Sequence, residues 1–176
     1  MKKPSIILKS ACLCLALIAS TAICKAQTTI IPTGSSWKYW ANSLANFQAN
    51  WQTVAYNDAA WPSGTGELGY GDGDEGTCIP SGGGGTLCAP TGTNKWGSYY
   101  FRKVVNIPNP AVYSNFTFNV ERDDGFVLYV NGVEQRRDNM PAGAVSYITS
   151  ASSAIEDAVI TFTIASSAFV SGNNTI

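Results

Sequence analysis

Residues 115–137, NFTFNVERDDGFVLYVNGVEQRR, restrict the fold of this chain more than any other stretch. Phe116, Phe118 and Val120 alternate with Thr117, Asn119 and Glu121, the period of two with which a strand lays one apolar face on a core. After a turn at Asp123-Asp124-Gly125, residues 126–130 are apolar on both faces, and Asn131-Gly132 supplies the two positive-φ positions of a type I′ hairpin. The alternation returns at 159–164, where Ile160, Phe162 and Ile164 point away from Thr161 and Thr163. Residues 98–107, SYYFRKVVNI, are aromatic and β-branched, with Pro108 and Pro110 closing the run. The expected fold is all-β, an antiparallel β-sandwich.

The flanking segments are less regular. Residues 28–40 read as a strand, a Gly/Ser turn and a second strand carrying Trp37, Tyr39 and Trp40, with Pro32 at an edge. Asn57-Asp58 ahead of Ala59-Ala60-Trp61 is expected to cap one short helical turn that Pro62 ends, and residues 166–170 a second short turn. Gly172 opens what reads as another strand, 173–176.

The N-terminus reads as a secretory signal. Lys2 and Lys3 precede an apolar run from Ala11 to Ile23, and Cys24-Lys25-Ala26 places small side chains where a signal peptidase reads, so cleavage is expected after Ala26. That apolar run is shorter than the ~20 residues a bilayer-spanning helix needs. Residues 27–176 then form one exported domain, secreted, at the cell surface or in a periplasm, with no membrane attachment after cleavage. They hold seven of the eleven basic residues and all twelve acidic ones. An acidic chain without a basic stripe excludes nucleic acid as a partner.

Export also gives the cysteines a meaning. Cys12, Cys14 and Cys24 fall in the signal, leaving Cys78 and Cys88, an even pair expected to form a disulfide around Gly82-Gly83-Gly84-Gly85. Closing about ten residues stabilises a fold by on the order of 2–3 kcal/mol in the chain-entropy treatment. Zinc is a poor alternative, because the chain has no histidine and no second cysteine pair. The surrounding stretch, 63–94, is rich in Gly, Thr, Ser and Pro, and a loop of that length is expected to be a binding loop or a stapled insertion.

Several short motifs taken together resemble one family: Ser36-Trp37-Lys38-Tyr39, Ala60-Trp61, Glu67-Leu68-Gly69-Tyr70-Gly71-Asp72-Gly73-Asp74-Glu75, Tyr99-Tyr100-Phe101-Arg102, Arg122-Asp123-Asp124-Gly125, Tyr129-Val130-Asn131-Gly132, Asn139-Met140-Pro141-Ala142-Gly143 and Gly172-Asn173-Asn174-Thr175-Ile176. In that order they resemble the galactose-binding-like jelly-roll modules of large secreted bacterial proteins, which often stand beside hydrolase, phosphoesterase or surface-attachment domains. The resemblance covers nearly all of residues 27–176 and implies a jelly roll. It also implies a final strand longer than the one present, so the sequence is expected to be a piece of a longer protein. Such modules bind sugars in some proteins and act as spacers in others.

Three groups of residues are candidates for function. Asp72, Asp74 and Glu75 lie among glycines that let carbonyls turn inward, a hard-oxygen set suited to Ca²⁺, and the resemblance adds a structural calcium as an expectation. The spacing is not that of an EF-hand, since position twelve from Asp72 is Gly83; the alternative is a solvated acidic turn. Adjacent aspartates such as Asp123-Asp124 also resemble those of protective-antigen-type adhesin modules, which ligate calcium beside a sugar. The alternative there is that they bond their own turn and pair with Arg122. Sugar rings stack on aromatic faces, and Trp40, Trp51 and Trp96, with Asp124, are the expected carbohydrate contacts, while Trp37, Trp61, Tyr99 and Phe101 are expected in the core.

Without histidine, Ser-His and Cys-His catalysis is excluded within the chain. The expected function is a non-catalytic module that binds carbohydrate, a cell-surface glycan for example, and serves a neighbouring domain of the same protein. A spacer packed against a hydrolase such as a metallophosphoesterase is the alternative. A glycoside hydrolase built on paired carboxylates is a third.

Overall fold

A computed structural model describes residues 27–42, 50–82, 85–89, 91 and 95–176. The expected signal, 1–26, lies outside the described residues. The fold is all-β: β1 Ser36–Trp40, β2 Ser63–Thr65, β3 Leu68–Gly69, β4 Thr77–Cys78, β5 Tyr100–Arg102, β6 Val104–Ile107, β7 Asn115–Arg122, β8 Phe126–Val130, β9 Val133–Asp138, β10 Ala158–Ala165 and β11 Gly172–Thr175. Among the described residues the only helical pieces are two 3₁₀ turns, Pro110–Val112 and Ser166–Ala168. The turn expected after Asn57 is not helical; Asn57 Oδ1 accepts from the amide of Ala59 and Trp61 donates to the Asp58 carbonyl. These are the local bonds with which an Asx residue competes against a helix.

β7 and β10 form the longest ladder, antiparallel and in register from Asn115↔Ala165 to Arg122↔Ala158. Phe118 lies opposite Phe162 with ring centroids 5.5 Å apart, and Phe116 lies opposite Ile164. These rings meet Val105 and Ile107 of β6, Val130 of β8, and Phe169 beyond the second 3₁₀ turn, which together form the buried core. Period-two alternation thus sorts one face inward, as a half-buried sheet requires. The outer face of the same ladder is polar, with Thr117, Asn119, Thr161 and Thr163 exposed and Thr161 Oγ1 donating to Asn119 Oδ1 at 2.7 Å.

β8 and β9 make the expected hairpin. Asn131 and Gly132 both take positive φ, +52° and +87°, and a register shift at Leu128/Tyr129 marks a bulge. Asn131 also reaches out of its own turn. Its Nδ2 donates to Asn174 Oδ1 at 2.7 Å, and its Oδ1 accepts from the Thr175 amide at 2.9 Å, tying β8 to β11. β11 pairs with β6, and β1 pairs with both β2 and β5. Among the described residues the one parallel pairing is the short contact of β3 with β4. The strand expected over 98–107 divides at Lys103, whose amide and carbonyl bond Ile176, so β5 joins β1 while β6 joins β11.

Candidate functional site

The disulfide-bearing segment builds the first candidate site. Cys78 and Cys88 are bonded, with Cα atoms 5.0 Å apart. The Cys88 carbonyl accepts from Gly71, and the Ser81 carbonyl accepts from the Trp96 amide at 2.7 Å, so both ends of the excursion are pinned to the sandwich. Beneath it, the Tyr99 hydroxyl bonds the Tyr70 hydroxyl and the Ser81 carbonyl, each at 3.1 Å, and burial pushes that phenol above its ordinary range. Lys95 Nζ lies 4.5 Å from the Tyr70 ring centroid.

Trp96 stands against this loop and walls an open pocket of about 340 Å³ with Ser81, Gly82, Thr86 and Leu87. Gly82, at φ +85°, is the residue that lets the ring sit so close; a Cβ there would be 2.5 Å from the indole Cδ2. Among the described residues the buried Trp96 Nε1 has no hydrogen-bond partner. An orphaned buried donor is uncommon in a native fold and costs about 1–3 kcal/mol.

The other two tryptophans expected to meet a sugar are placed differently. Trp40 and Trp51 are half-buried and pack on the buried Trp61, with ring centroids at 6.0 and 6.4 Å. Trp51 also makes edge contacts to Tyr100 at 4.9 Å and Tyr129 at 5.8 Å. Both belong to one aromatic cluster. Asp124 holds loops together. Its Oδ1 accepts from the Ile155 amide at 2.9 Å, and its carbonyl accepts from Arg122 and Asn139. Asp123 Oδ1 accepts from the adjoining Asp124 amide within the turn, whereas Arg122 forms its ion pair with Asp138, at 2.6 Å, and not with either of these aspartates.

The acidic loop also closes on itself. Glu75 carries both oxygens back to the amides of Asp72 and Gly73, each at 3.1 Å, which lowers its pKa together with its own amide. Among the described residues no three acidic, cysteine or histidine side chains stand together as a group that could hold a metal ion.

Acids from three stretches nevertheless crowd one side of the molecule. The Asp157 charge, ahead of slight desolvation, Glu75 and Asp123, holds the Asp72 carboxyl above its ordinary range. Asp123, ahead of desolvation, Asp124 and Asp157, does the same to Glu156. Glu67 is raised by burial first and then by Glu121, Asp74, Asp157 and Asp72.

These shifts fix a pH dependence. An acid whose pKa is raised by folding costs stability while ionised, and that cost is relieved as pH falls through its folded value. Glu75, and Glu134 beside Arg137, have the opposite sign: their contribution is present above the unfolded carboxylate range and lost as pH falls through their lowered values. The expected result is a melting temperature that rises from pH 7 to about 5 and drops only below about 4, with the rise flattened in 0.5 M salt. Thermal scans from pH 3 to 8 at two salt concentrations check it; a steady fall from pH 7 contradicts the crowded acidic side.

A second open pocket, about 300 Å³, lies along β1, β2 and the junction of β5 with β6, lined by residues that include Trp37, Lys38, Asp58, Arg102 and Lys103. Trp37 was expected in the core. In β1 it faces Gly64 of β2, so no cross-strand side chain stands beside it on that ladder, and the ring is half-buried. The glycine across the ladder is fixed by pairing that sequence does not display. No protein-family profile, curated protein or solved structure matches this chain.

Proposed function

We propose that this chain is an exported, non-catalytic carbohydrate-binding module, of the galactose-binding-like jelly-roll kind that its motifs resemble, and that it serves a further domain of a larger protein. The observation that carries this reading is Trp96: an indole that walls an open pocket with Ser81 and Thr86, against a loop held by a disulfide. An aromatic wall with a few fixed polar groups is what a sugar ring, apolar on its C–H faces and polar at its rim, binds to. Loop pinning keeps the ordering cost of such binding low. The alternative spacer role calls for an apolar outer sheet face, and the outer face of β7 and β10 is mostly threonine and asparagine.

Affinity electrophoresis of the full chain through gels containing different polysaccharides tests the proposal. Retardation on at least one polysaccharide is expected. Trp96→Ala removes the ring that walls the pocket and should weaken retardation at least tenfold. Gly82→Val forces a branched side chain into the ring at a φ suited to glycine and should abolish binding. Free migration of the wild type through every gel refutes the reading.

A further inference from the structure

From the Trp37 pocket we infer that this protein has an anion-binding site, whose ligand is a sugar carrying a carboxylate or a sulfate. The sugar half of that statement rests on the carbohydrate reading above; the anion half does not.

The argument starts from where the positive charge lies. Residues 27–176 carry seven basic side chains against twelve acidic ones, yet three of the seven, Lys38, Arg102 and Lys103, line this single pocket. Arg102 is spent internally. It is 1% exposed, ion-paired to Asp58 at 3.0 Å, and donates to the carbonyls of Trp51 and Thr53.

The two lysines are different. Lys38 Nζ donates to the Trp61 carbonyl at 3.0 Å and Lys103 Nζ to the Ser36 carbonyl at 2.7 Å. Those contacts orient the ammonium groups without neutralising them, and among the described residues neither lysine forms an ion pair. Each ammonium has three donors, so donors remain for a ligand.

Asp58 is matched by Arg102, which leaves the pocket two uncompensated positive charges on a molecule that is acidic elsewhere. A concave site of one sign focuses its field on a ligand of the other. Trp37 supplies a flat apolar wall, with Lys103 Nζ 5.7 Å from its ring centroid, and Ser36 and Ser63 supply small polar groups at the edge. At about 300 Å³ the pocket lies at the low end for small-molecule sites, a size for one sugar unit of a longer chain.

The test is a nuclear magnetic resonance titration of the ¹⁵N-labelled full chain, following the Trp37 indole signal, with D-galacturonate, galactose 6-sulfate and D-galactose. Saturable movement is expected with at least one of the anionic sugars and not with galactose at equal concentration. Galacturonate alone identifies a carboxylate ligand and the sulfate ester alone a sulfate ligand. The Lys38→Gln/Lys103→Gln pair should weaken the response at least tenfold at an unchanged melting temperature; Lys103→Gln alone serves if the pair does not fold.

No movement with either anionic sugar, or equal movement with galactose, overturns the anion site. Polysaccharide retardation that depends on Trp96 but ignores both lysines leaves the carbohydrate reading standing while this inference falls. Anionic-sugar binding at Trp37 without retardation on any gel removes the Trp96 pocket as a polysaccharide site and leaves the anion site standing.

Discussion

Arg102→Met is expected to destabilise the protein by about 3–5 kcal/mol, the cost of removing one partner from a buried ion pair. Arg102 is among the most buried side chains described, and it holds residues 51–58 against β5 through three groups: the Asp58 carboxylate and the carbonyls of Trp51 and Thr53. Methionine fills much of the space and replaces none of those donors. Two carbonyls and a carboxylate are then left unsatisfied or forced toward water.

The segment that loosens carries Trp51 and Tyr56, which pack on Trp61, so the aromatic cluster with Trp40 and Tyr100 should loosen with it. Urea unfolding followed by tryptophan fluorescence measures the effect. Arg102→Met/Asp58→Leu should recover part of the loss, because replacing both partners of a buried pair with apolar residues is far less costly than stranding one. A loss below about 1 kcal/mol for the single variant would place Arg102 among surface ion pairs and contradict its burial.

The second large effect is expected from Cys78→Ser/Cys88→Ser. The bridge closes a separation of ten residues, and opening it should cost about 2–3 kcal/mol through the freedom regained by the unfolded chain. That loss is global, yet its functional consequence is local. Gly71 and Trp96 are each joined to the bridged segment by a single backbone bond, at Cys88 and Ser81, and these do not by themselves hold a glycine-rich loop. Carbohydrate retardation should therefore fall further than stability does, and reducing agent should reproduce both effects on the wild type. Equal retardation before and after reduction would separate the loop from binding.

What the sequence revealed and what it hid follow from distance along the chain. The alternation of Phe116, Phe118 and Val120 and the Asn131-Gly132 turn are local signals, and β7, β8, β9 and β10 stand where they pointed. Cys78 and Cys88 were legible because only two cysteines remained to pair. The roles of the tryptophans were not. Trp40 and Trp51 sit outside clear alternation and so read as platforms, but Trp61 lies where all three rings meet, a fact set by packing across strands. Trp37 alternates cleanly and reads as core, yet the residue across the ladder is Gly64. Arg102 gave no warning at all, since its carboxylate partner lies 44 positions away. Asp72, Asp74 and Glu75 were legible as a run of acids, but not the turn in which Glu75 accepts from the amides of Asp72 and Gly73.

The bond from Asn131 to Asn174 spans 43 positions, and the Asn119–Thr161 contact on the long ladder spans 42. A hairpin such as β8–β9 closes in about 1–10 μs, whereas pairings this distant must first pay for loop closure and put a mostly antiparallel domain in the millisecond-to-second class. During that interval the phenylalanines of β7 and β10 have no sheet to lie on, and a nascent copy is at its most adhesive toward other copies. Refolding yield should accordingly fall as protein concentration rises.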